Sequence, residues 1–231
     1  MPYRRLPNTD SARIRALGSA VEKAADTDFQ ELPFSTGTLD EARSVLAHFT
    51  HLSARYQQLY ETQVKAGKSF AGKIKNARMY VSHFIQVLYM CVMRSEIKEE
   101  QLALYGLENV HLVVPDLSSN EQLLEWGQKI IRGEQQRTAQ GGVPIYNPSI
   151  AKVNVMVTLF KEGYQTQKLH RKATSRVLQE IADYRKKVDK VVLEIWEEVE
   201  RHNSGLPPEK RLAVNRGYGI VYYYRRGEIA E

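Results

Sequence analysis

The sequence has one cysteine, Cys91, and no long apolar run among its 231 residues. A single cysteine excludes a disulfide within the chain, and its apolar helical neighbours predict a buried, unreactive thiol. A membrane-spanning helix needs about 20 consecutive apolar residues, which no segment approaches. Residues 1–7 contain arginines but lack the apolar segment that follows them in a secretory signal. We therefore expect a cytoplasmic protein that does not enter a membrane.

Patterns typical of catalytic and nucleotide sites are also missing. The sequence contains no Gly-x-Ser-x-Gly, no zinc-spaced Cys/His set, no His-Glu-x-x-His and no Gly-x-Gly-x-x-Gly. The segment Gly67-Lys68-Ser69 is similar to the end of a phosphate-binding loop, but that loop requires glycine at the position of Thr62 and a preceding strand. These three residues instead predict a helix break with a capping serine.

The remaining candidates for metal binding or acid–base chemistry have simpler explanations. His48 and His51 lie one helical turn apart, but di-metal sites in helical bundles need two Glu-x-x-His motifs, and the only match is Glu108 to His111. Solvation on the polar side of an amphipathic helix explains the glutamates that flank Trp196 (Glu194, Glu197, Glu198 and Glu200). We therefore expect no metal, no cofactor, no catalytic residue and no enzyme activity.

Apolar residues at helical spacing predict a mainly α fold, an antiparallel bundle of about six long helices. They are expected from the N-cap segment 8–10 to Asp26, from Leu39 to a break at Gly67, from Phe70 to about Leu104, from the N-cap segment 118–121 to a loop at Gly141, from Pro148 to an interruption at Gly163, and from Leu169 to His202. A short helix from Glu209 to Arg216 follows. The composition, with 42% apolar and 26% charged residues, fits such a globular fold.

Three short segments favour extended structure: Tyr3 to Leu6, Val110 to Val114, and Ile220 to Tyr224. A lone strand leaves backbone groups unpaired, so we expect at least two of the three to pair into a small ribbon that joins two lobes.

The chain also shows an internal similarity between its two halves. Leu6-Pro7 is echoed by Val114-Pro115, and Tyr105-Gly106 by Tyr218-Gly219, in the same order. This predicts two related helical units, residues 1–108 and 109–231, packed together as one compact body. The alternative is a helical bundle whose matching prolines and glycines are coincidental.

The basic residues are the feature that points to a partner. The formal net charge is +6, and the segment from Thr62 to Ser95 has no acidic residue. Four of its basic residues fall within about half a turn if the helix is continuous: Lys65, Lys68, Lys75 and Arg78. Such a surface binds single-stranded nucleic acid when exposed aromatics accompany it, or is simply the solvated face of a helix. A second basic region is diluted by acids: Lys161, Lys168, Arg171, Lys172, Arg176, Arg185, Lys186 and Lys187.

Four phrases together resemble an uncharacterised bacterial family of helical proteins. They are Pro-Tyr-Arg-Arg-Leu-Pro-Asn-Thr-Asp (2–10), Trp-Gly-x-x-Ile-Ile-Arg-Gly-Glu (126–134), Ile-Trp-Glu-Glu-Val-Glu (195–200) and Tyr-Gly-Ile-Val-Tyr-Tyr-Tyr-Arg (218–225). The resemblance implies a helical fold and brings no established activity, cofactor or catalytic residue.

The sequence therefore favours a non-enzymatic structural or protein-interaction module that binds a protein partner or a second copy of itself. The alternative is a nucleic-acid-associated protein that acts through its basic helices.

Overall fold

The structure, a computed structural model, describes residues 2–108 and 112–224. The α-helices in these ranges are α1 (Asp10–Ala25), α2 (Thr36–Met93), α3 (Asn120–Ala139), α4 (Ile150–His202) and α5 (Pro208–Gly217). Short 3-10 helices cover Phe29–Glu31, Glu99–Tyr105 and Asn203–Gly205, and two strands, β1 (Tyr3–Arg4) and β2 (Tyr222–Tyr223), pair antiparallel. The mainly α fold with a minimal β ribbon is confirmed.

Two predicted helix breaks are wrong, because α2 continues through Gly67 and α4 continues through Gly163. Both glycines serve close packing. A Cβ atom on Gly163 would lie 2.8 Å from Phe70 Cδ2, and one on Gly67 would lie 3.3 Å from Gln167 Nε2. Glycine in a helix costs about 1 kcal/mol relative to alanine. The close packing at Gly67 and Gly163 offsets this cost.

Two other predicted helix boundaries also differ from the structure. α2 ends at Met93, and Ser95 adopts a positive φ of 58° just beyond it, so the predicted helix to Leu104 is replaced by a bend and a 3-10 helix. α4 begins at Ile150, so Pro148 precedes the helix instead of opening it.

The predicted central strand is not formed in the described part of its range. Residues 110 and 111 of the segment 110–114 lie outside the described residues, as does His111 of the Glu108–His111 motif. Residues 112–114 have no strand structure, and the carbonyl of Val113 accepts a hydrogen bond from the Tyr89 hydroxyl at 3.1 Å.

The expectation that at least two of the three extended segments pair is confirmed, and the two are the terminal ones: Tyr3 lies opposite Tyr223, and Arg4 lies opposite Tyr222. Both strands belong to the same compact unit. The ribbon therefore joins the two ends of the described chain and not two lobes.

The chain divides into two compact units that differ from the predicted halves. Unit 1 contains Met1–Tyr60 and Ala173–Glu231, and unit 2 contains Glu61–Lys172. The expected boundary at 108/109 lies inside unit 2. Because α2 and α4 are uninterrupted, the chain passes between units within these two helices, and each unit receives part of both. The internal duplication remains a prediction.

Each unit has its own apolar core. Core residues in unit 1 come from α1, α2, α4 and the segment after α5, with Trp196 and Phe49 fully buried at its centre. In unit 2 they come from α2, α3, α4 and the 3-10 helix before Gly106, around Phe84, Ile130 and Phe160. No helix in the described ranges has an apolar stretch that would cross a bilayer.

Candidate interaction surface

In unit 2, α2 has a buried side and a solvent side that differ as its periodicity predicts. The buried side carries Phe70, Ala77, Val81, Phe84, Ile85 and Leu88. At about 100° per residue these positions centre on one direction of the helix, so residues half a turn away point to solvent. Solvated helix faces usually carry polar side chains, and departures from that pattern indicate a binding surface.

The predicted basic patch is only partly available on this solvent side. Lys65, Lys68 and Lys75 are exposed. Arg78 instead donates hydrogen bonds to two backbone carbonyls, from Nε to Leu117 at 3.0 Å and from Nη2 to Ser118 at 2.9 Å. Its guanidinium therefore holds the segment that leads into α3, and the three lysines remain as the free charges of the patch.

The structure adds three methionines that sequence reasoning missed. Met79, Met90 and Met93 are 53%, 47% and 73% exposed. Their spacing of eleven and three residues returns each to the same side of a helix, opposite the buried side. That spacing was visible in the sequence, but only a helix that continues from residue 65 to 93 makes it a surface.

We call these six residues, Lys65, Lys68, Lys75, Met79, Met90 and Met93, the lysine–methionine face. On a regular helix they fall within about 80° of one another and span about 42 Å. The lysines occupy the first part of this stripe and the methionines the second. A surface cavity of about 500 Å³ beside it is lined by Ala71, Ile74, Lys75, Arg78, Met79 and Ser82.

The most polar cluster of the interior is structural. The Tyr105 hydroxyl donates to Glu134 Oε2, Arg137 Nη2 donates to Glu134 Oε1 at 2.8 Å, and the backbone N–H of Ile145 donates to the same oxygen at 2.9 Å. Burial, with Glu134 as a further cause, raises the pKa of Tyr105 well above its ordinary value. A Cβ atom on Gly133 would lie 2.5 Å from Tyr105 Cδ1, so α3 packs directly against this ring, and the side chains of Glu134 and Arg137 are buried beside it.

The two histidines that lie one turn apart in α2 are at the surface, and the cysteine is buried. His48 and His51 are exposed, and the His48 ring lies 4.6 Å from that of Tyr184. Across residues 2–108 and 112–224, no three His, Cys, Asp or Glu side chains are grouped to hold a metal. Cys91 is buried, and burial raises the pKa of its thiol.

The glutamates near Trp196 do more than face solvent. Glu200 accepts from Arg4 Nη1 and from the Tyr222 hydroxyl, both at 2.8 Å, and Glu198 accepts from the backbone N–H of Ser35 at 3.2 Å. The solvation explanation is wrong for Glu200 and Glu198, because they tie β1, β2 and the start of α2 to α4.

Part of the second basic region is engaged in contacts within the chain. Arg185 forms two hydrogen bonds to Asp10, Arg176 pairs with Glu180, and the Lys168 ammonium lies 4.3 Å from the centre of the Tyr164 ring. Lys161, Arg171, Lys172 and Lys186 are exposed, but acidic residues lie between them on the same helix, whereas the segment of the lysine–methionine face has no acidic residue.

No family model, no curated protein and no solved structure matches the chain. The resemblance to a bacterial helical family therefore remains an expectation.

Proposed function

We propose that the chain is a non-enzymatic protein-interaction module whose lysine–methionine face binds an amphipathic segment of a partner protein. The observation that carries this proposal is the placement of three exposed methionines in line with three exposed lysines, opposite the buried side of α2. A helix needs no methionines on its solvent side for folding, so their stripe calls for a binding explanation.

The chemistry of the face specifies the partner. Methionine is flexible and polarisable, and it serves surfaces that bind apolar side chains of varied shape. Lysine is a mobile point charge that attracts carboxylates without fixing their geometry. The complementary ligand is an amphipathic helix or extended segment with acidic residues toward one end and large apolar residues toward the other.

Nucleic acid fits this surface less well. Binding to single strands combines cations with aromatic side chains that stack on bases, and none of the six residues of the face is aromatic. Arg78, the cation of the patch best suited to phosphate, donates to carbonyls instead. Half of the stripe is apolar and has no role in phosphate binding.

The test uses defined probes in place of an unidentified partner. Fluorescence anisotropy is measured with a labelled 20-residue helical peptide of glutamate and leucine, with its scrambled version, and with single- and double-stranded oligonucleotides. Two triple variants alter the face: Lys65→Glu, Lys68→Glu and Lys75→Glu remove its charge, and Met79→Gln, Met90→Gln and Met93→Gln remove its apolar part.

Each variant has a matched control on α4 of unit 2. Lys152→Glu, Lys161→Glu and Lys172→Glu reverse three other exposed lysines, and Val155→Gln, Leu159→Gln and Leu169→Gln remove three other exposed apolar side chains. We expect each face variant to weaken peptide binding at least about tenfold while its control leaves binding unchanged.

Three results would overturn the proposal. Equal loss in face and control variants would show non-specific attraction. Oligonucleotide binding that needs the lysines and ignores the methionines would assign the face to nucleic acid. A stable dimer in sedimentation, abolished by the methionine substitutions, would make a second copy the occupant.

A further inference from the structure

Unit 1 contains a cavity of about 770 Å³. Its lining includes no residue of the lysine–methionine face. The N-terminal segment, the first turns of α1 and the chain after α5 form its walls. The volume lies in the range of about 300–1,000 Å³ that small-molecule sites occupy. Three of the four sequence phrases, 2–10, 195–200 and 218–225, contribute residues to the lining.

The charge of this cavity has one sign. Arg5, Arg15 and Arg216 come from three separate parts of the chain and line the same space. The described lining residues include no aspartate and no glutamate. Like charges gathered at one cavity repel each other unless an anion joins them, so this arrangement favours an anionic ligand.

Two other arginines of unit 1 form ion pairs with acidic side chains. Arg4 pairs with Glu200 at 2.8 Å and Arg13 pairs with Asp189 at 2.7 Å. In the described part of the chain, by contrast, Arg5, Arg15 and Arg216 form no ion pair. Among the described residues, acidic side chains therefore lie beside Arg4 and Arg13 and not beside the arginines of the cavity.

Closely packed backbone forms one side of the cavity. Gly219, with a φ of 81°, lets the chain pass so close to α1 that a Cβ atom there would lie 2.6 Å from the Ala16 carbonyl oxygen. Leu6, Val221 and Tyr223, which are 40%, 50% and 45% exposed, give the cavity its apolar surface, and the core residues Trp196 and Ile220, each 1% exposed, border it. Thr9, the N-cap of α1, lines it as well, so the positive end of that helix adds to the field of the arginines.

We propose that this cavity binds a small phosphorylated organic molecule. The phosphate groups lie among the three arginines, because the planar guanidinium fork matches phosphate oxygens in pairs. The organic part packs against Leu6, Val221 and Tyr223. This site is independent of the proposed function, since it uses no residue of unit 2.

Isothermal titration calorimetry of the full chain tests the proposal with four probes: inorganic pyrophosphate, ATP, adenosine and citrate. We expect pyrophosphate and ATP to bind and ATP to bind more tightly, because it also fills the apolar part of the cavity. Adenosine lacks phosphate and should not bind. Citrate tests whether any polyanion suffices.

Variants connect binding to the cavity. Arg5→Ala, Arg15→Ala and Arg216→Ala should each weaken ATP about tenfold or more, as the loss of a charge-assisted hydrogen bond does. Arg15→Lys keeps the charge but not the fork and should fall between the native chain and Arg15→Ala. Arg43→Ala, an exposed arginine of unit 1 on α2, is the control and should leave binding unchanged.

The proposal fails if neither phosphorylated probe binds at millimolar concentration, or if adenosine or citrate binds as tightly as ATP. It also fails if Arg43→Ala weakens ATP as much as the cavity variants do. Circular dichroism of each variant shows whether it is folded, so that affinities are compared only between folded proteins. If an alanine variant does not fold, the affinity of Arg15→Lys for ATP tests the role of the guanidinium.

Discussion

Arg137 Nη2 donates a hydrogen bond to Glu134 Oε1 at 2.8 Å in the interior of unit 2, where the two side chains are 2% and 0% exposed. The same nitrogen donates to the Val143 carbonyl at 2.8 Å, and the N–H of Ile145 donates to the glutamate. One ion pair therefore fixes the loop after α3 against the helix that it leaves.

Removing one partner of this pair should be strongly destabilising. We expect Arg137→Met to lower the free energy of unfolding of unit 2 by about 3–5 kcal/mol, because Glu134 is then a buried charge without its cation. Tyr105→Phe, which removes one hydrogen bond to that carboxylate, should cost only about 1–2 kcal/mol. Urea unfolding followed by Trp126 fluorescence in a Trp196→Phe background reports unit 2 alone, since each unit has one tryptophan.

The exposed pair Arg94–Glu96, at 3.4 Å with side chains 62% and 53% exposed, is the control for burial. Arg94→Met should change stability by less than about 1 kcal/mol. If Arg137→Met cost no more than this, the buried pair would not be a stabilising element of the unit.

Two glycines in helices of unit 2 should respond to alanine with opposite sign. Nothing lies within 4 Å of a Cβ atom on Gly72, so Gly72→Ala should stabilise α2 by about 0.5–1 kcal/mol through its helix propensity. A Cβ atom on Gly133 would lie 2.5 Å from Tyr105 Cδ1 and 2.8 Å from the Leu104 carbonyl oxygen, so Gly133→Ala should destabilise by about 2 kcal/mol or more. Midpoints of urea unfolding measure both, and equal signs would contradict the packing described for Gly133.

Asp10 makes the stability of unit 1 depend on pH. Two hydrogen bonds from Arg185, both 2.8 Å, lower the pKa of its carboxyl below the ordinary 3.8. Because the folded pKa is depressed, the stabilisation is complete above pH 3.8 and is lost as the pH falls through the lower folded value. We expect Asp10→Asn to cost about 1 kcal/mol at pH 7, discounted for partial exposure, and progressively less below pH 3.8.

Acid titration of both proteins, followed by Trp196 fluorescence in a Trp126→Phe background, measures this difference. Asp40→Asn is the control, since the Asp40–Arg43 pair is 3.6 Å long and its aspartate is 76% exposed. A gap between native and Asp10→Asn proteins that stays constant from pH 7 to pH 2 would refute the role of the carboxylate.

Local signals predicted the parts of the fold that local contacts stabilise. The N-cap of α1 lies in the expected segment 8–10 and is Thr9, whose side chain accepts from Ala12 N. The N-cap of α3 lies in the expected segment 118–121 and is Ser119, which forms a capping box with Gln122. Capping involves residues only three positions apart, so the sequence contains the whole interaction.

Two glycines predicted helix breaks that do not occur, because these residues allow close packing between helices instead. Gly67 and Gly163 break no helix, because they serve contact with Gln167 and Phe70, and a sequence alone does not show which helices approach each other. For the same reason the sequence did not predict where the chain divides into units. The predicted boundary, 108/109, lies inside unit 2. Uninterrupted α2 and α4 assign part of each helix to each unit.

The two proposed sites differ in the same way. Lys65, Lys68 and Lys75 could be grouped from spacing, because one helix fixes their relation. The cavity could not, since Arg5, Arg15 and Arg216 come together only through the paired terminal segments and α1.

By itself, the sequence determined the mainly α class, the segments that hold the helix caps and the excess of positive charge, because each depends on periodicity, neighbouring residues or composition. The tertiary structure decided the continuity of α2 and α4, the burial of Glu134 with Arg137, and the convergence of three arginines on one cavity. These depend on contacts between segments distant in the chain, whose free energy no local pattern encodes.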